Sequence, residues 1–98
     1  MSAYFIAQYK VNDPALYGEY AKGAGATVAA SGGELISFDI AAETIEGEAP
    51  GPQTVVIKFE SVEAAKAWYG SEGYQAVVGK RLAATEGYSV ISQSMNMG

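Results

Sequence analysis

SVEAAKAWYGSEGYQAVVGKRLAATEG, residues 61–87, reads as two helical pieces hinged at Gly70-Ser71. Ser61 offers a side-chain oxygen to the orphan N–H groups of a first helical turn. Ala64, Ala65, Ala67 and Trp68 follow, and Gly70 suits a left-handed stop. Ser71 restarts the helix as a second N-cap. Tyr74, Val78, Arg81 and Thr85 then recur at offsets of four, three and four, which puts Tyr74 and Arg81 two turns apart on almost the same face. Gly87 is read as the stop. The only tryptophan of the chain, Trp68, and its best-placed cation, Arg81, therefore share one segment that must pack against a sheet.

Strands flank this segment on both sides. Residues 53–60 contain TVVIKF, with four apolar residues in six and three of those β-branched, as a central strand requires. Residues 88–95 read as the last strand, and the tail Asn96-Met97-Gly98 is expected to fray. Further back, residues 3–11 alternate, with Phe5, Tyr9 and Val11 on one parity and Tyr4, Ile6, Gln8 and Lys10 on the other. Asp13-Pro14 then starts a helix, since Asp13 can cap it and proline fits the first helical position. Leu16, Tyr17, Tyr20, Ala24, Thr27 and Val28 make its apolar stripe, with Gly23 and Gly25 leaving it dependent on tertiary contacts. Ser31-Gly32-Gly33 ends it.

A second strand is expected over residues 34–45, with Ile36, Phe38 and Ile40 on one parity and Leu35, Ser37, Asp39 and Ala41 on the other. The run EGEAPGP, residues 46–52, is a loop, because two prolines and two glycines interrupt any ladder. The order is thus β-α-β-β-α-β, a ferredoxin-like α+β arrangement with a four-stranded antiparallel sheet and helices on one face, forming a single domain over residues 1–98.

Composition narrows what such a domain can do. Ninety-eight residues with 49% hydrophobic and 17% charged content are globular, yet a chain this short buries too little surface to be robust alone. Apolar residues on both parities of the first and third strands leave the sheet face opposite the helices in need of cover, which a second copy provides. The chain has neither His nor Cys, which disfavours haem, structural zinc, thiol chemistry and a Ser-His-Asp triad; no metal and no cofactor is implied. A net charge of −5 gives no basic stripe for nucleic acid and repels anionic membranes. Without the cysteines that a small secreted domain more often carries as bridges, the expected location is the cytoplasm; the N-terminal residues lack a signal-peptide pattern and no apolar run is long enough for a bilayer.

At Asp13-Pro14, Tyr17, Gly32-Gly33, Glu46-Gly47, the VVIKFES run and above all Trp68-Tyr69, Ser71, Tyr74 and Arg81, the chain resembles an uncharacterised bacterial family. It is the domain-of-unknown-function family numbered thirteen-thirty, and the resemblance covers nearly the whole chain. The pattern W-Y-x-S-x-x-Y with an Arg seven residues on is its most specific part. The resemblance implies a dimeric α/β barrel, from a superfamily that also contains small cofactor-free monooxygenases, muconolactone isomerase-like proteins and haem-dependent relatives, and implies no established reaction.

Six residues form the candidate ligand pocket: Tyr17, Glu46, Trp68, Ser71, Tyr74 and Arg81. Arg81 has three readings: a planar fork for a substrate carboxylate, an internal salt bridge for which Glu46 is a candidate partner, or a solvated cation at the end of the last helix. Glu46 is a general base if buried, or a solvated loop carboxylate. Trp68 and Tyr74 line a pocket for a flat ligand, with the Tyr hydroxyl as polar handle, or simply fill the core. Tyr17 either closes that pocket or fills it, and Ser71 is most economically a cap, since nothing activates it as a nucleophile. The functional expectation is a homodimer that binds or transforms a small organic molecule, anionic if Arg81 takes part, between sheet and helices. The alternative is a non-catalytic interaction module whose polar residues serve fold and dimer.

Overall fold

The computed structural model describes residues 2–95, so the expectation for Asn96-Met97-Gly98 lies outside the described residues. In chain order the elements are β1 (Ala3–Val11), α1 (Pro14–Ala30), β2 (Glu34–Asp39), β3 (Gln53–Phe59), α2 (Val62–Tyr69), α3 (Glu72–Ala84) and β4 (Thr85–Gln93). The strands form one antiparallel sheet in the order β2-β3-β1-β4, the ferredoxin-like topology. Period-two alternation decides which side is covered: Ala3, Phe5, Ala7 and Tyr9 of β1 and Gln53, Val55, Ile57 and Phe59 of β3 are buried, and their neighbours in sequence are not. α1 packs on α3, while α2 lies over the central strands.

Helix boundaries follow from local chemistry. Asp13 Oδ1 accepts from the Leu16 N–H at 3.1 Å and Pro14 occupies the first turn of α1. The Ser31 N–H donates to the Thr27 carbonyl, and Gly32 then takes the left-handed conformation at φ 74°. α1 runs unbroken through Gly23 and Gly25. Ser61 Oγ accepts from Ala64 N–H, and Ser71 Oγ both accepts from Tyr74 N–H at 3.2 Å and donates to the Trp68 carbonyl at 2.7 Å. One hydroxyl therefore closes α2 and opens α3.

Four local expectations change. Gly70 is not left-handed, with φ −84°; the break comes instead from Ser71, whose extended backbone (φ −65°, ψ 151°) ends one ladder and caps the next. Gly87 does not stop α3. The helix already ends at Ala84, where β-branched Thr85 turns extended (φ −136°, ψ 160°), and Gly87 lies within β4 opposite Tyr9. A Cβ at Gly87 would overlap the Gln8 carbonyl oxygen and Tyr9, so glycine there permits close strand approach. β2 stops at Asp39, whose carboxylate accepts from Ala41 N–H, rather than running to residue 45. A register shift between Leu35 and Ser37 resets parity, so that Leu35 and Phe38 both lie on the helix side, opposite Ile57 and Val55.

On the uncovered face Ile6 stands between Val56 and Val90 in the cross-strand register, with Tyr4 beside it on β1. This apolar row is only half-buried or exposed.

Candidate functional site

Small side chains on α1 create a cleft of about 410 Å³ between that helix and the sheet. Ala21, Ala24, Gly25 and Ala29 form the helix wall, while Phe5, Val55 and Ile57 form the floor. Leu35 and Phe38 make the rim on the edge strand and stay about half exposed because no helix covers them. The size falls in the ordinary range for small-molecule pockets.

Trp68 reaches this cleft from α2 and is 1% exposed. Its indole Nε1–H donates to Thr27 Oγ1 at 3.1 Å, and Thr27 in turn donates to the Ala24 carbonyl at 2.7 Å, which fixes the ring without using a bulky partner. Phe5 meets it edge-on at 5.0 Å and Tyr74 lies against it at 4.1 Å between centroids.

Polar groups enter at one end, where Tyr9, Tyr17 and Tyr20 line the cleft. Their hydroxyls are paired: Tyr9 with Tyr17 at 2.8 Å, and Tyr20 with Tyr74 at 2.8 Å. Burial pushes Tyr9 and Tyr20 far above the usual phenol range, reinforced by the hydroxyl partner of each and offset in part by the Arg81 charge. Burial also raises Tyr74, against the opposing pull of its hydrogen bond with Tyr20 and of Arg81. At neutral pH these three are phenols that donate and accept hydrogen bonds and are not bases.

Arg81 lies behind this tyrosine wall. It is 4% exposed, with its guanidinium carbon 5.6 Å from the Tyr9 ring centroid. Its Nε–H is buried without a hydrogen-bond partner, as is one side-chain amide nitrogen of Gln53, the cross-strand neighbour of Tyr9. Among the described residues the ion pair is Lys80 with Glu19 at 3.4 Å, on the exposed surface, and no carboxylate pairs with Arg81.

Trp68, Tyr74, Arg81 and Tyr17 thus come together, through Tyr9 and Tyr20. Ser71 stays at the α2–α3 junction as a cap. Glu46 lies elsewhere: it is exposed, in a depression with Gln8, Glu43, Glu48 and Tyr88 on the uncovered side of the sheet. The Arg81–Glu46 ion pair is therefore corrected, because the sheet separates the two. Sequence reasoning missed Tyr9, Tyr20 and Gln53 as site residues. Tyr9 was signalled by its parity with Phe5, and Tyr20 by its place on the α1 stripe, but nothing in the sequence pairs four hydroxyls across three elements.

The family model for the domain of unknown function DUF1330 matches residues 2–95. The chain belongs to the DUF1330 family. No curated protein matches this DUF1330 chain. Among solved structures, a protein of unknown function from Rhodopseudomonas palustris is similar with a TM-score of 0.80 at 13% identity, over 97% of this chain and 83% of that one. SnoaB, a cofactor-independent oxygenase from Streptomyces nogalater, is similar with a TM-score of 0.70 at 11% identity, over 98% and 95%. A putative antibiotic biosynthesis monooxygenase from Caulobacter crescentus gives 0.61 at 21% identity, over 97% and 91%. Identities this low establish a common fold. Among the described residues, no helix of this DUF1330 protein is long and apolar enough to cross a membrane.

Proposed function

We propose that this DUF1330 protein binds a flat, largely apolar small molecule in the cleft between α1 and the sheet, as a homodimer joined through its uncovered sheet faces. The observation that carries the reading is the cleft itself: about 410 Å³, walled by alanines and glycine and floored by core side chains, with its hydroxyls gathered at one end. A module whose interior served packing alone would gain by filling that space, since each missing contact costs stability. Trp68 and the tyrosines offer ring faces to a planar ligand.

The three buried phenols favour holding and orienting a ligand over removing a proton from it. SnoaB, a cofactor-independent oxygenase, shares the fold, which is compatible with a transformation in this site as well as with binding alone. The apolar row Val56, Ile6 and Val90 supports the dimer, because a stable partner would remove it from water.

Trp68 supplies the test, being the only tryptophan and part of the cleft. Titrating neutral planar aromatics should change its fluorescence saturably, and Ala21→Phe, which intrudes on the helix wall, should abolish the response. A panel that leaves Trp68 unaltered in the wild type would refute the binding reading.

A further inference from the structure

We propose that the molecule held in the cleft carries an anionic oxygen at the end that meets the tyrosines, an inference that rests on the cleft being a binding site. Each hydroxyl pair uses one O–H internally: Tyr9 and Tyr17 both line the cleft, so one of their O–H groups stays free to face it, and Tyr20 frees a second when Tyr74, which does not line the cleft, is the donor. Behind them the buried Arg81 Nε–H and the Gln53 side-chain N–H are without partners; neither residue lines the cleft, so they add positive potential there and not a direct contact. Nothing among the described residues balances them: no carboxylate pairs with Arg81, and the polar lining of the cleft consists of phenols. A buried guanidinium with no anion is costly, and the cost is relieved when negative charge arrives within its field.

Geometry sets how that field acts. Arg81 stands behind Tyr9 and does not line the cleft, so it works through the tyrosines as a positioning residue. The hydroxyls touch the anionic oxygen, and Arg81 compensates its charge from the second layer. An apolar body on the alanine wall and an oxyanion on the phenols describe an aromatic carboxylate, or an enolate or phenolate of similar shape. A cation has no acceptor to meet here beyond the phenol oxygens.

Three probes that share one ring system separate this inference from the reading beneath it: naphthoate, neutral naphthamide and naphthylmethylammonium, each followed by Trp68 fluorescence. Naphthoate should bind roughly tenfold to a hundredfold more tightly than naphthamide, the worth of a charge-assisted hydrogen bond, and the ammonium weakest of the three. In Arg81→Met the advantage of naphthoate should vanish while naphthamide binds as before. If Arg81→Met does not fold, the triple variant Tyr9→Phe/Tyr17→Phe/Tyr20→Phe keeps the rings, removes every hydroxyl that lines the cleft and must shrink the same advantage. Equal binding of naphthoate and naphthamide by the wild type overturns the anionic oxygen and leaves the cleft reading standing. So does an undiminished preference in a folded variant. Failure of all three probes to bind overturns both.

Discussion

Raising the pH should unfold this protein through its tyrosines. Tyr9, Tyr20 and Tyr74 are each less than a tenth exposed, and burial raises all three above the ordinary value of 10. A phenol whose value is raised in the folded state contributes stability that is fully present below the unfolded value and is lost as pH rises past it, because the unfolded chain then releases a proton that the folded chain retains. Each such group lowers stability by about 1.4 kcal/mol per pH unit while the folded chain keeps its proton, so Tyr9 and Tyr20 together reach about 3 kcal/mol per unit above pH ~10, with Tyr74 acting in the same direction. For a domain near the lower end of ordinary stability, roughly 5 kcal/mol, the fold is lost within about two pH units past that threshold. The assay follows phenolate absorbance and far-ultraviolet circular dichroism in one titration. Three or more of the seven tyrosines should ionise in the same step as unfolding, and Tyr20→Phe should reduce the slope by up to about half. If all seven ionise while the circular dichroism stays native, the burial argument is wrong.

Ser71→Ala removes both bonds at the α2–α3 junction and should cost about 1 kcal/mol in chemical denaturation while leaving ligand affinity unchanged, as a capping role requires. Gly25→Ala meets no atom within 4 Å and should stabilise α1 by up to about 1 kcal/mol, whereas Gly87→Ala should lower the melting temperature sharply because β1 backbone occupies the space. Val56→Lys places a charge in the centre of the apolar row and should convert a dimer to a monomer in sedimentation experiments; a wild type that is already monomeric at micromolar concentration refutes the proposed assembly.

Much of the fold was legible because its signals are local. Strand alternation in Phe5, Ala7 and Tyr9, the Asp13-Pro14 start, the Ser61 and Ser71 caps and the β-branched run of β3 each depend on neighbours a few residues away, where residue type limits backbone conformation directly. The misreadings arose where a distant partner decides. Gly87 looks like a helix stop in sequence, yet its role is set by Gln8 and Tyr9 across the sheet. The shift between Leu35 and Ser37 moves Leu35 and Phe38 to one side of β2, and only pairing with β3 reveals it.

The site divides along the same line. Sequence alone determined that Tyr74 and Arg81 share a helix face and that Trp68 precedes them across a hinge, since helical periodicity fixes such relations. Tertiary structure alone decided that Arg81 meets Tyr9 and no carboxylate, that Tyr20 bonds Tyr74 across 54 positions, and that Glu46 falls on the far side of the sheet. The physical reason is that hydrogen bonds and charge fields act over a few ångströms of space, whichever residues the packing of α1 and α3 on the sheet brings within that reach.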